Sequence, residues 1–235
     1  MTAAVPSLGA AVCQVWWARP RAVDPALLDA ATRRRVVALR RAADRERCAT
    51  AARLGDLLVA VHGGATAWVE RTGGRAPRVH GADPGLHLSV AHAGDHVAVA
   101  IGACGPVGVD VEPRAAALDA AALAAALTPA ERRALGDLPR ARRPATLLRQ
   151  WVRKEAVLKA AGVGLAVDPA VLDVTVAGRR PCVLACPALP GVVGCAVCDL
   201  RGPAGAVAAL ASLAHGVDAV EVDGDALLAA YASSA

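Results

Sequence analysis

The chain has almost no aromatic side chains: five in 235 residues, with no phenylalanine among them. Binding of nucleic acid by stacking bases on aromatic rings is therefore not expected, although a net charge of +5 would attract some polyanion. Long apolar runs are missing too. The alanine-rich stretch from Ala115 to Leu127 is interrupted by Asp119 and falls short of the roughly eighteen strongly apolar residues of a membrane span. Between Met1 and Arg19 no positive leader precedes an apolar stretch. The expectation is a cytoplasmic protein with neither membrane nor nucleic acid as partner. Cysteine is present, but its count of seven is odd, which argues against a disulfide framework. Cys182, Cys186, Cys195 and Cys198 superficially spell a zinc spacing. Their neighbours Val183 to Ala185 and Val192 to Val197 read as buried strands, where a free thiol behaves as a small hydrophobe, so structural zinc is not expected.

With 55 % hydrophobic and 20 % charged residues, the composition is that of a globular protein with a sizeable core. The length suits one large domain or two halves of about 100–120 residues. Arginines crowd the first quarter at 33, 34, 35, 40, 41, 45, 47 and 53, on two helices of which the first is opened by Asp24-Pro25. They form either solvated helix faces or an anion-binding surface. Leu86 to Ala100 reads as a strand, a turn at Ala93-Gly94-Asp95 and a second strand. Thr128-Pro129-Ala130-Glu131 has the form of a capping box that opens a helix to about Leu135. In the tail, Leu210, Leu213 and Val217, then Leu227, Leu228 and Tyr231, suggest helical packing beside an acidic patch at Asp218, Glu221, Asp223 and Asp225.

The chemistry concentrates in two acidic islands. Val107, Val109 and Val111 alternate with Gly108, Asp110 and Glu112, so in a strand both carboxylates share one face while the valines enter the core. Adjacent negative charges repel, and a hard cation relieves them; Mg²⁺ typically takes one or two carboxylates together with phosphate oxygens and water. Downstream, Thr146 to Ala161 reads as a helix ending before Gly162, with Glu155 and Lys159 four residues apart on one face and Lys154 diverging from it.

The order Gly-Val-Asp-Val-Glu (108–112), then Trp-x-x-Lys-Glu-Ala-x-x-Lys (151–159) and Gly162-Val163-Gly164-Leu165, resembles the 4′-phosphopantetheinyl transferases of the Sfp type. That resemblance implies an α+β (α/β) fold of two similar halves forming a pseudo-dimer. It divides the chain near residue 104: residues 1–104 bind coenzyme A phosphate, and residues 105–235 carry the Mg²⁺-binding carboxylates and a C-terminal extension. A monomer is implied. So is transfer of the 4′-phosphopantetheine of coenzyme A to a serine of an acyl or peptidyl carrier protein of polyketide, nonribosomal peptide or fatty acid synthesis, releasing adenosine 3′,5′-bisphosphate.

By the same resemblance Asp110, Glu112 and Glu155 are the metal ligands, Glu155 accepts the serine proton, and Lys154 and Lys159 bind phosphate oxygens. His92 falls on the histidine of the family's Asn-Ile-Ser-His-Ser segment and is expected to contact coenzyme A phosphate with a raised pKa. Ala91 and Ala93 stand where the family usually has serine, removing two hydroxyl donors usually worth about 0.5–1.5 kcal/mol each. Gly73 to Pro77 is similar to a Gly-Lys-Pro turn, with Arg75 as its basic residue. The phosphate-binding arginine of the early helix is either Arg47 or Arg53. Arg140, Arg142, Arg143, Arg149 and Arg153 are placed to meet an acidic carrier helix. Two other readings stand beside it: a catalytically weak relative that binds coenzyme A or a carrier protein, suggested by Ala91 and Ala93, and a metal-dependent phosphohydrolase of another fold, which shares the acidic residues but not the Trp-x-x-Lys-Glu helix.

Overall fold

The computed structural model describes residues 5–9, 12–72, 76–103, 105–115, 119–175, 181–214 and 217–232. Within them one sequence of elements occurs twice. Strand β1 (Val12–Ala18) is followed by helices α1 (Ala30–Ala38) and α2 (Ala42–Gly63), a small ribbon of β2 (Trp68–Glu70) with β3 (Arg78–His80), and a hairpin of β4 (His87–Ala93) with β5 (His96–Gly102). Strand β6 (Val107–Pro113) then starts the second round, with α3 (Ala120–Ala125), α4 (Pro129–Gly136), α5 (Arg143–Ala160), the ribbon of β7 (Asp173–Val174) with β8 (Val183–Ala185), and the hairpin of β9 (Ala196–Leu200) with β10 (Ala206–Ser212). In both rounds the last strand returns to the middle, antiparallel to its neighbours, in the orders β1-β5-β4 and β6-β10-β9.

Each sheet buries one face under a long helix. Helix α2 packs on β4 and β5, where Leu54, Leu58 and Val59 meet Trp16, Leu88, Val99 and Ile101. Helix α5 packs on β6 and β10, where Val152, Ala156 and Val157 meet Ala209 and Ala211. The other faces meet each other through small side chains, among them Ala91, Ala98, Ala100, Val109, Val111 and Ala208. Small residues let the sheets approach closely, so β4 lies against β6. At that seam the Val109 amide donates to the Ser89 hydroxyl oxygen at 3.1 Å.

The second round ends near Ser212, and the chain then crosses back. Strand β11 (Asp218–Asp223) pairs in parallel with β1, and α6 (Gly224–Ala230) buries Leu227 and Leu228 in the core under α2. The C-terminal segment therefore completes the first sheet, and 105–235 is not one spatial half. Leu210 lies in a strand rather than the expected helix, because β10 is buried on both faces and its apolar run carries no alternation to separate the two periods. The expected capping box is present: Thr128 accepts from the Glu131 amide and Glu131 accepts from the Thr128 amide. Among the described residues no helix is long and apolar enough to cross a membrane, and no three His, Cys, Asp or Glu side chains form a metal-binding group.

Candidate active site

Gly108 determines how α5 meets β6. A Cβ at this position would stand 2.0 Å from the Ala156 carbonyl oxygen and 2.4 Å from the Ala160 nitrogen, so helix and strand touch backbone to backbone. Two residues along the strand, Asp110 is thereby brought under Glu155 and Lys159. Its Oδ1 accepts from Lys159 Nζ at 2.7 Å, and Lys159 also donates to the Val109 carbonyl at 3.2 Å. Asp110 Oδ2 and Glu155 Oε1 are buried with no hydrogen-bond partner.

Two buried carboxylate oxygens left unpaired are costly unless something else completes them. The electrostatics report the same crowding. Burial and the charge of Asp110 push Glu155 up, against the pull of Lys159; burial pushes Asp110 up likewise. Glu112 is raised to about 7 by burial and by the charges of Asp110 and Glu155. These are hard oxygen donors, and the set fits Mg²⁺, which completes its shell with phosphate and water instead of an all-protein cage. Asp110 and Glu155, whose free oxygens are buried, would hold it together with phosphate and water; Glu112 feels the charges of both but does not join them in a three-carboxylate group among the described residues.

Glu155 and Lys159 open onto a cavity of about 870 Å³ between the two halves. Ser89 to His92 of β4 form one wall, Cys48, Ala51 and Ala52 of α2 another, and Gly162 and Gly164 the rim beyond α5. Gly162, at φ +70, ends α5 with bonds from its own amide to the Lys159 carbonyl and from the Val163 amide to the Leu158 carbonyl, at 3.0 and 3.1 Å. His92 lines the cavity, but its pKa is held below the ordinary value, first by burial and then by Arg47, Arg35 and Lys159. The expected rise belongs to an imidazole beside a phosphate; in the protein alone, burial and then the cationic neighbours set the direction.

The basic residues are redistributed relative to expectation. Arg47 is ion-paired with Asp44 and donates to the Gly94 carbonyl at 2.8 Å; Arg53 donates to the Tyr231 carbonyl at 3.2 Å, towards the C-terminal helix. Arg34, Arg35 and Arg71 line the cavity instead. Arg71 is held by Asp56 at 2.8 Å and Asp29 at 3.3 Å, whereas Arg34 and Arg35 are exposed and form no ion pair among the described residues. The triplet Arg33 to Arg35 was visible in the sequence, but which of its members faces the cavity follows from how α1 sits on α2. Arg75 lies outside the described residues; Thr72, Ala76 and Pro77 line the cavity.

Lys154 is a correction. Its side chain is completely buried, ion-paired with Glu131 at 2.5 Å and donating to the carbonyls of Ala126 at 2.7 Å and Pro169 at 2.9 Å. One residue along a helix is a turn of about 100°, so with Glu155 facing the cavity Lys154 faces away from it, and its ammonium has no donor left for a phosphate. Arg153 is likewise withdrawn from any docking face, buried and bidentate to Asp199 at 2.7 Å on both arms, and Arg149 pairs with the same Asp199 at 3.7 Å. Arg143 donates to the Leu138 and Gly136 carbonyls, while Arg140 and Arg142 remain exposed. No curated protein matches the chain. Residues 106–190, which hold β6, α5 and the crowded carboxylates, match the family model described as the 4′-phosphopantetheinyl transferase superfamily, and this stretch is a domain of that superfamily.

Proposed function

We propose that the protein is an Sfp-type transferase that moves the 4′-phosphopantetheine arm of coenzyme A to a serine hydroxyl of an acyl or peptidyl carrier protein. The observation that supports this best is the pair of unpartnered buried oxygens, Asp110 Oδ2 and Glu155 Oε1, beside Lys159 at the edge of a cavity walled by Arg34, Arg35 and His92. Anionic substrate groups are drawn to the arginine side, and a cation to the carboxylate side.

Bound Mg²⁺, held by Asp110 and Glu155, supplies neutralisation of the pyrophosphate charge. Arg34 and Arg35 bind phosphate oxygens at the mouth, and His92 becomes a charged donor once an anion offsets the surrounding cations. Glu155, at the edge of the cavity beside Lys159, takes the proton of the attacking serine hydroxyl. As the serine oxygen bonds to the β-phosphorus, the bond to the adenosine bisphosphate oxygen breaks, and Lys159 stabilises the charge that develops on the phosphates.

The test is intact mass spectrometry of an apo carrier protein incubated with the enzyme, coenzyme A and Mg²⁺, with EDTA as control. A metal-dependent gain of one phosphopantetheine is expected. Coenzyme A binding with no gain on several carrier types would favour the binding relative suggested by Ala91 and Ala93, whereas breakdown of coenzyme A without a carrier would favour a hydrolase.

A further inference from the structure

We infer that Lys154 and Glu131 form a buried strut that seats Glu155 over Asp110, making Lys154 a positioning residue rather than a phosphate ligand. The inference rests on the transferase reading for its effect on turnover, but its geometry stands apart from the cavity. All three protons of the Lys154 ammonium are used, on Glu131, the Ala126 carbonyl and the Pro169 carbonyl. These acceptors come from three segments around α5: the end of α3, the first turn of α4, and the turn that follows the Gly162 to Gly164 rim.

Glu131 is as fully engaged as its partner. One oxygen accepts from the Thr128 amide at 2.8 Å as part of the α4 cap, and the other accepts from the Val174 amide at 2.9 Å and from Gln150 Nε2 at 3.3 Å. Gln150 Oε1 in turn accepts from Arg153, whose guanidinium also reaches the Thr175 carbonyl and Asp199. The side of α5 facing away from the cavity is thus pinned in rotation and translation by a closed set of charge-assisted bonds. Glu155, the next residue, has no bond of its own at Oε1 to hold it in place. Its position therefore depends on the backbone that Lys154 anchors.

The strut also reaches the surface. Glu131 is followed on α4 by exposed Arg132 and Arg133. Helices α4 and α5 are joined here by the Glu131–Lys154 ion pair and by the bond from Gln150 Nε2 to Glu131.

The experiment compares wild type with the double variant Glu131→Gln with Lys154→Met, which removes both buried charges together and keeps side-chain volume. Folding is checked by circular dichroism, coenzyme A affinity by calorimetry, transfer by kcat and KM, and Mg²⁺ by the concentration that half-saturates its thermal stabilisation of the coenzyme A complex. The expected result is a folded variant with unchanged coenzyme A affinity. Its kcat falls, and its half-saturating Mg²⁺ rises, by about 10–100-fold, as for groups that orient metal ligands. Lys154→Arg, which keeps the charge, should recover part of the Mg²⁺ response. A folded double variant with wild-type kcat and Mg²⁺ response overturns the inference, as does a variant that loses coenzyme A affinity with kcat intact, which would return Lys154 to the substrate. Should the double variant not fold, Lys154→Arg alone decides: a raised half-saturating Mg²⁺ and a lowered kcat with unchanged coenzyme A affinity support the strut, whereas wild-type values of both, or lost coenzyme A affinity, overturn it. A wild-type protein that shows Mg²⁺ stabilisation but no transfer sinks the transferase reading alone, and the strut is then judged by the Mg²⁺ midpoint. Absence of both in wild type overturns both.

Discussion

The two rounds of the fold use one scaffold for opposite chemistry. In the first, α2 lies over β4 and β5 through an apolar contact of leucine, valine and alanine, with cations from α1 beside the cavity. In the second, α5 touches β6 backbone to backbone at Gly108 and carries two kinds of buried charge: the Glu131–Lys154 pair on one side and the crowded carboxylates on the other. The difference shows why the site lies at the seam. On the proposed reading one half would attract the anionic groups of the substrate and the other a cation, and the junction is where both could be held.

The comparison breaks most completely if the carboxylates are removed. Asp110→Ala or Glu155→Ala should reduce transfer by at least about 10²-fold, the usual worth of a positioned base, with the fold intact by circular dichroism. A well-folded Asp110→Ala protein with full activity would remove the metal assignment.

The two helix–sheet contacts can be set against each other directly. Gly108→Ala drives a methyl into the α5 backbone and should cost about 3 kcal/mol or more in denaturant unfolding. Gly55→Ala on α2 meets only the ends of Arg71 and Leu88 side chains, both at 3.3 Å. There the gain in helix propensity of about 1 kcal/mol offsets the crowding, and stability should change little. Equal losses in the two variants would mean that the halves do not differ in this way.

Smaller effects are expected from the cationic side. Arg35→Ala should weaken coenzyme A binding about tenfold, the worth of one charge-assisted hydrogen bond of about 1.5 kcal/mol, and the deficit should shrink in high salt. Arg53→Ala, which removes a contact to Tyr231 outside the cavity, should leave coenzyme A affinity unchanged in the same calorimetry.

The smallest effect is a pH dependence confined to the acidic side. Glu112 has its folded pKa raised from 4.5 to about 7, so folding favours its neutral form. Stability from this group is undiminished below the unfolded value and is lost as pH rises through about 7 in metal-free protein. A cation near Glu112 favours its charged form, so Mg²⁺ should raise the melting temperature more at pH 8 than at pH 6. An equal shift at both pH values would mean that Glu112 does not feel the cation.

Legibility followed the range of each interaction. Asp110 and Glu112 share a face because they are two apart in a strand, and Glu155 and Lys159 because they are four apart in a helix; both relations are local and can be read without the fold. Lys154 could not be assigned this way. Its partner Glu131 lies on another helix, and the sequence offers no sign that the lysine beside the carboxylate turns into the core. Arg34 and Arg35 were indistinguishable from Arg47 and Arg53 as basic residues on helices, since their roles depend on which helix face borders the cavity. The return of β11 to the first sheet was also hidden, for parallel pairing with β1 joins segments some two hundred residues apart.

By itself the sequence determined the acidic strand, the capped helix at Thr128, the Gly162 stop of α5 and the shared helix face of Glu155 and Lys159, because period, cap and turn chemistry act over a few residues. Only the tertiary structure decided that β4 and β6 meet through small side chains, that a glycine lets α5 rest on the strand below it, and that one lysine of the motif is buried while the other reaches the cavity. Those outcomes depend on close packing between distant segments, where a single methyl or a single unpaired charge changes which arrangement is lowest in free energy.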